Sequence, residues 1–163
     1  MSEQKQPLME DVILEIFDGE LKETALEFAA CLHANGLTPK VWRPEWVQNN
    51  YCWRIPYEER YLCKIQLEPN KWTFTFFFGD YSGEFDEGFI TAVQENVKIC
   101  TSCHDSCTSG MDTMIFGKEY KNACSQLTIE FANPDSNTVE HIKSLIEYSK
   151  KIEPLHEAFF AYN

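Results

Sequence analysis

Hydrophobic and polar residues follow two different periods along this chain. Near its start, apolar residues recur three or four positions apart, which is the spacing of an amphipathic helix. This spacing predicts one helix over 8–17 and a second over 20–35, which ends at Gly36. Farther along, apolar and polar residues alternate, as they do in a half-buried antiparallel strand. The alternation predicts three strands, over 51–55, 60–67 and 72–78.

The rest of the chain predicts a mixture of helices and short strands. A third helix is predicted to begin at Asp86, which can cap it, and to end near Cys100. The last helix is predicted over 137–152, with Asn137 and Glu140 as a capping pair. Short strands are predicted over 37–42, 113–116 and 126–131.

The order of these elements favours one fold class. No helix is predicted between the three alternating strands, so the sequence favours a meander over a doubly wound βαβ arrangement. The predicted class is α+β: a single domain with an antiparallel β-meander sheet that helices cover on one face. We expect this domain to span 1–163, with 1–7 as a disordered tail and 100–124 as a cysteine-rich, metal-binding segment.

The segment 100–124 holds four of the seven cysteines, spaced C-x2-C-x3-C with a fourth cysteine farther on. Zinc prefers four nitrogen or sulfur donors in a tetrahedron, and a C-x-x-C turn offers two sulfurs to one ion. The sequence therefore predicts a zinc site that fastens this segment to the sheet. The predicted ligands are Cys100, Cys103, Cys107 and Cys124, with His104 as a possible alternative ligand.

Three other interpretations of the cysteines stay open. An iron–sulfur cluster also uses loop thiolates, although the bacterial ferredoxin run has C-x2-C-x2-C and a proline after its last cysteine. Residues 100–104 match the C-x-x-C-H pattern of covalent haem, which normally belongs to exported proteins, so haem ranks last. Thiol redox chemistry, or a plain reduced cluster, ranks below zinc because a helix that ends at Cys100 would disfavour a thiolate there.

Charge and hydropathy narrow the classes of partner. The net charge is −12, and no run of basic residues is longer than Lys150-Lys151, so we expect no nucleic-acid partner. The longest apolar runs fall far short of the ~20 residues that span a bilayer, so we expect no membrane partner. The polar start M-S-E-Q-K-Q-P-L has no apolar signal region, which predicts a cytoplasmic protein with reduced thiols.

The chain is rich in aromatic residues, and most of them are expected to pack in the core. The aromatic residues around the 42–57 region are the better candidates for a ligand pocket. None of the motifs G-x-S-x-G, H-E-x-x-H and G-x-G-x-x-G occurs, so we predict no catalytic residues, and an enzyme that uses an aromatic pocket ranks third among the possible functions. The candidate pocket residues are Trp42, Trp46, Trp53 and Tyr57. The cysteines outside the cluster, Cys31, Cys52 and Cys63, are expected to pack as small apolar residues.

The cysteine pattern, followed by I-F-G-K-E-Y at 115–120, Cys124 and F-A-N-P at 131–134, resembles a family of small bacterial cytoplasmic four-cysteine proteins of unknown function. This resemblance implies no activity and no catalytic residue. We therefore expect a non-catalytic, zinc-stabilised domain that binds a small ligand or a protein partner. The alternative function is a thiol- or metal-responsive redox sensor or an iron–sulfur protein.

Overall fold

An antiparallel sheet with helices packed against it forms the centre of the molecule. The computed structural model describes residues 7–42, 51–77, 84–102, 107, 109–125 and 128–151. Within these residues the helices are α1 (Met9–Ile16), α2 (Gly19–Ala34), α3 (Glu87–Glu95) and α4 (Ser136–Ser149). The strands are β1 (Lys40–Val41), β2 (Tyr51–Tyr57), β3 (Arg60–Glu68), β4 (Lys71–Phe77), β5 (Met111–Ile115), β6 (Lys118–Ala123) and β7 (Thr128–Ala132).

The main sheet has the strand order β1-β2-β3-β4-β7, and every neighbouring pair is antiparallel. Its register places Ile55, Cys63, Phe76 and Ile129 in one row across four strands, all of them buried. Strand residues two apart point to the same face, so this face is the apolar set that the sequence alternation marks. The predicted antiparallel meander is confirmed.

Helix α2 covers this apolar face. The Phe28 ring of α2 lies 5.7 Å from the Trp72 ring and 5.3 Å from the Phe74 ring, measured between ring centres. All three side chains are buried, and full burial of one such side chain contributes roughly 1.5–3 kcal/mol to stability. The α+β class is therefore confirmed, with the core between the helices and one face of the sheet.

Helix α3 is shorter than the sequence predicts. It begins as expected, because the Asp86 carboxylate accepts a hydrogen bond of 2.9 Å from the Phe89 backbone N–H. It ends at Glu95, with Asn96 as its C-cap, and the prediction of a helix that continues to Cys100 is wrong. The next residues, 97–100, are extended, and we call them the connector. Hydrogen bonds to another strand hold the connector and outweigh the local helical spacing.

The connector joins the β5–β6 hairpin to the main sheet. The Lys98 N–H donates to the Thr128 carbonyl over 2.9 Å, and the Cys124 N–H donates to the Lys98 carbonyl over 2.8 Å. The Cys100 N–H donates to the Asn122 carbonyl over 2.8 Å. One edge of the connector thus pairs with both the end of β6 and the start of β7. The bridges Ile99–Ala123 and Val97–Ile129 record the same two pairings.

The hairpin β5–β6 is only partly predicted by the sequence. The strand predicted over 113–116 is present as β5, but β6 was missed because its residues are mostly polar and exposed. The two strands meet at a two-residue turn in which Phe116 and Gly117 have φ angles of 49° and 78°. The Phe116 ring contacts the Phe85 ring edge-on at 5.7 Å, and this packing offsets the cost of its left-handed backbone.

Two further predictions concern the cap of the last helix and the edge strand of the main sheet. The cap predicted for the last helix is wrong, because the Asp135 carboxylate, and not Asn137, accepts from the Thr138 N–H at 2.8 Å. The short edge strand predicted over 37–42 is present as β1. Residues 1–6 of the predicted tail lie outside the described residues. In the part of the chain described, no helix has the length and apolar character that crossing a bilayer requires.

The pairing of the connector predicts a contrast between two proline substitutions. Lys98→Pro removes the N–H that bonds to Thr128, whereas Ile99→Pro removes an N–H on the opposite edge of the connector, for which the described residues provide no backbone partner. We expect Lys98→Pro to lower the free energy of unfolding by about 1–3 kcal/mol more than Ile99→Pro does. Urea unfolding of both variants measures the difference. Equal losses would contradict the pairing described here.

Candidate functional site

The connector forms an antiparallel pairing with the end of β6 and the start of β7, which we call the connector pairing. Two of the predicted zinc ligands project from the same face of it. Cys100 lies opposite Asn122, and Cys124 lies opposite Lys98, so the two cysteines occupy diagonal positions in the antiparallel pairing. Diagonal residues have Cα atoms about 7–8 Å apart, with their side chains on one face. An ion with Zn–S distances of about 2.3 Å can bridge such a pair.

The third described ligand, Cys107, returns to contact Cys100. The pKa of the Cys100 thiol is lowered, first by a hydrogen bond from the Ser102 backbone N–H, with further hydrogen bonds from the Cys107 thiol and the Gly110 backbone N–H. Partial desolvation opposes these hydrogen bonds but does not cancel them. The loop therefore stabilises a thiolate at Cys100, which is the form that binds metals and reacts as a nucleophile.

Gly110 permits the close return of the loop. A Cβ atom at this position would lie only 2.7 Å from the Cys100 Cβ, and it would also collide with the Asn122 side-chain oxygen. A glycine is therefore required for the loop to close on Cys100 in this way. Sequence reasoning missed Ser102, Gly110 and Asn122 as parts of the site. The dipeptide Ser109-Gly110 indicates a turn, but no local signal marks Asn122.

Cys124 is held separately from the other two thiols. The Thr128 hydroxyl donates a hydrogen bond of 3.6 Å to the Cys124 sulfur. Both residues bond to the Lys98 backbone, which brings them together although four positions separate them. Cys124 is half-buried, so its sulfur is partly open to solvent.

The donor set suits zinc, but the structure does not by itself define a metal cage. Among the described residues, no group of three or more His, Cys, Asp or Glu side chains is arranged to hold a metal ion. Cys103 and the alternative ligand His104 lie outside the described residues. Soft thiolate donors from one loop and one strand end fit zinc chemically. The four-cysteine zinc site stays a prediction.

The position of Cys100 changes the comparison between metal binding and redox chemistry. The sequence placed Cys100 at a helix C-terminus, where the dipole disfavours a thiolate. That premise is wrong, because α3 ends at Glu95 and Cys100 follows an extended segment. The dipole therefore gives no reason to rank redox chemistry below metal binding. The contact between the Cys100 and Cys107 thiols is compatible with both.

The other three cysteines are packing residues, as predicted. Cys31, Cys52 and Cys63 are all buried. Burial raises the pKa of each thiol, to about 11 for Cys52 and well above the ordinary value for Cys63. Neutral, inaccessible thiols neither bind metal readily nor react as nucleophiles.

The aromatic residues proposed for a pocket lie in different environments. Trp53 is 1% exposed and belongs to the core. Trp42 lies on the face of the sheet opposite to Trp53. Its backbone N–H donates to the carbonyl of Cys52, and the Arg54 guanidinium stacks 3.9 Å from its ring centre; Cys52 and Arg54 both flank Trp53 on β2 and therefore point to the other face. Trp46 lies outside the described residues. The pocket stays a prediction, and Trp53 is not available to a ligand in this structure.

The fourth pocket candidate, Tyr57, is half-buried at the end of β2. Two cations lie near its ring, with the Arg60 guanidinium 5.9 Å and the Lys150 ammonium 5.6 Å from the ring centre. Arg60 donates to the Ser149 carbonyl and Lys150 donates to the Asn35 carbonyl, so both cations neutralise helix C-termini. Tyr57 therefore has a structural role in joining α2 and α4 to the sheet.

Comparison with family models, with curated proteins and with solved structures finds no match to this chain. The resemblance inferred from the sequence therefore stays a prediction.

The hydrogen bonds around Cys100 predict its reactivity. In the reduced, metal-free protein, Cys100 should be alkylated by iodoacetamide at a lower pH than an ordinary thiol, because its pKa is lowered. Cys107→Ala removes one donor, so the alkylation profile should shift to higher pH. Peptide mass spectrometry over a pH series measures both profiles.

Cys124→Ala is the matched control, because Cys124 is not among the groups that lower the Cys100 pKa. Its alkylation profile at Cys100 should equal that of the unchanged protein. An unchanged profile in Cys107→Ala would show that the two thiols do not interact.

Proposed function

We propose that this chain is a non-catalytic, zinc-stabilised domain that binds a small ligand or a protein partner in the cytoplasm. Cys100, Cys103, Cys107 and Cys124 would hold the ion. Two observations support the proposal: the Cys107 thiol hydrogen-bonds to Cys100, and Cys124 projects from the same face of the connector pairing as Cys100. The three described cysteines do not form a metal cage by themselves, so the proposed ion would have to draw them together.

The proposed ion has a mechanical consequence for the domain. Ligands from the loop, the connector and the end of β6 would be joined at one point. The loop between Cys100 and Gly110 would then be cross-linked to the sheet at both its start and its middle. A zinc ion with four protein ligands keeps no open position for a substrate, which supports a structural role and not a catalytic one.

Thiol redox sensing is a second candidate function, because the contact between Cys100 and Cys107 favours it. A peroxide would oxidise the Cys100 thiolate to a sulfenic acid, and one peroxide oxygen would leave as water. The Cys107 thiol would then attack that sulfur, so that a disulfide forms and a second water leaves. The peroxide accepts two electrons in total, and the metal would lose two thiolate donors.

Metal analysis of protein purified without oxygen tests the leading proposal. We expect about one zinc per chain and a colourless protein, because four thiolates complete the shell of one zinc ion. Cys107→Ser should reduce the zinc content, whereas Cys31→Ser should retain it, because Cys31 is buried away from the loop. A chelator should lower the melting temperature. A protein without metal would refute the proposal, and a brown protein would indicate an iron–sulfur cluster.

Mild peroxide distinguishes the two candidate functions. Zinc release that follows disulfide formation between Cys100 and Cys107, and that a thiol reductant reverses, would support the sensor. A zinc site that keeps its metal under the same treatment would support the structural role. Colorimetric detection of released zinc and mass mapping of the disulfide give the two readouts.

A further inference from the structure

Strand β5 presents a free edge on the side away from β6. In the hairpin, Ile115 pairs with Lys118 across the two-residue turn, and Thr113 pairs with Tyr120. Residues that flank such a turn exchange backbone hydrogen bonds, so the N–H and C=O groups of Met114 point away from β6. Asp112 lies at a register shift, between Met111 and Thr113, which both pair with β6, so its backbone groups also point outward. In the part of the chain that the structure describes, no hydrogen bond reaches these outward groups.

This edge has part of the protection that edge strands usually carry, namely the charged Asp112 and a register irregularity between Met111 and Thr113. Met114 is 66% exposed and Met111 is 41% exposed, and β5 contains no proline and no lysine. The edge at β1 is better protected against pairing, since that strand has only two residues and follows Pro39. A five-residue strand edge with two exposed methionines is a template for pairing with another strand.

The charge of the hairpin favours a second copy of this chain as the occupant. The chain as a whole carries a net charge of −12, which makes two copies repel one another over most of their surfaces. Between Met111 and Ala123, however, two lysines balance two acidic residues, so this segment is neutral. The lysine Lys121 also pairs with Asp112 at 3.2 Å within the hairpin. Two copies therefore meet little net charge repulsion along this segment.

We propose that β5 pairs with β5 of a second copy in antiparallel orientation, about a twofold axis at Thr113, and so forms a homodimer. The outward groups of Asp112 and Met114 would bond to Met114 and Asp112 of the second copy. No like charges would stand directly opposite one another in this register. The two Thr113 residues would face each other, a cross-strand pair that is favourable in antiparallel sheets. This inference is independent of the metal site.

Sedimentation velocity over a concentration series tests the dimer with a matched pair of variants. Met114→Pro removes the outward N–H without removing a bond of the hairpin, whereas Met114→Ala keeps that N–H. We expect dimers for the unchanged protein and for Met114→Ala, and monomers for Met114→Pro. Circular dichroism confirms that each variant is folded. A monomeric unchanged protein, or a Met114→Pro variant that dimerises equally well, would overturn the proposal.

Thr113→Cys provides a second, positive readout of the register. Directly opposed residues of a non-hydrogen-bonded pair have Cα atoms about 4.5 Å apart, which suits a disulfide. Mild oxidation should give a covalent dimer linked through residue 113, identified by peptide mass mapping, and Asp112→Cys should not cross-link to itself. Failure of Thr113→Cys to cross-link, or capture of an unrelated extended peptide by an otherwise monomeric protein, would contradict self-pairing.

Discussion

The backbone of Lys98 joins the β5–β6 hairpin to the main sheet, and the arrangement of the candidate site depends on this junction. Its N–H bonds to Thr128 at the start of β7, and its carbonyl bonds to Cys124 at the end of β6. Through this one residue, the hairpin, the connector and the main sheet share a single line of antiparallel pairing. Each such bond contributes only about 1 kcal/mol net. The structural consequence of this pairing is larger than that energy, because the pairing fixes Cys100 and Cys124 on one face.

The core and the cysteine loop have different sources of order. The core contains aromatic side chains in tilted and edge-on contact, such as Phe28, Trp72 and Phe74, and Cys100, Cys107 and Cys124 lie outside it. Among the described residues after Cys100, Ser102, Cys107 and Gly110 form hydrogen bonds to the Cys100 sulfur. Structural zinc contributes roughly 10–16 kcal/mol of apparent binding energy in zinc-finger peptides. An ion here would therefore govern the order of the loop and leave the rest of the fold intact.

The sequence predicts the central strands well, because their signal is local. In β4, Trp72, Phe74 and Phe76 alternate with Thr73 and Thr75, and this pattern alone defines the buried face. Strand β6 gives no such signal, because its polar residues are held by pairing with β5 rather than by an apolar face.

The connector could not be predicted from local spacing. Phe89, Val93 and Val97 recur at intervals of four, which extends a helical pattern beyond the true end of α3 at Glu95. The hydrogen bonds that keep the connector extended come from residues more than twenty positions away, such as Cys124. The cysteines themselves are visible in the sequence, whereas the contact of Cys107 with Cys100 depends on the return of the loop at Gly110.

X-ray absorption at the zinc edge of the anaerobically purified protein tests the central claim most directly. If the connector pairing brings four cysteine sulfurs to one ion, the spectrum will show about four sulfur neighbours at about 2.3 Å. A shell of nitrogen and oxygen atoms alone, or the absence of bound zinc, would contradict the claim that this pairing builds a metal site.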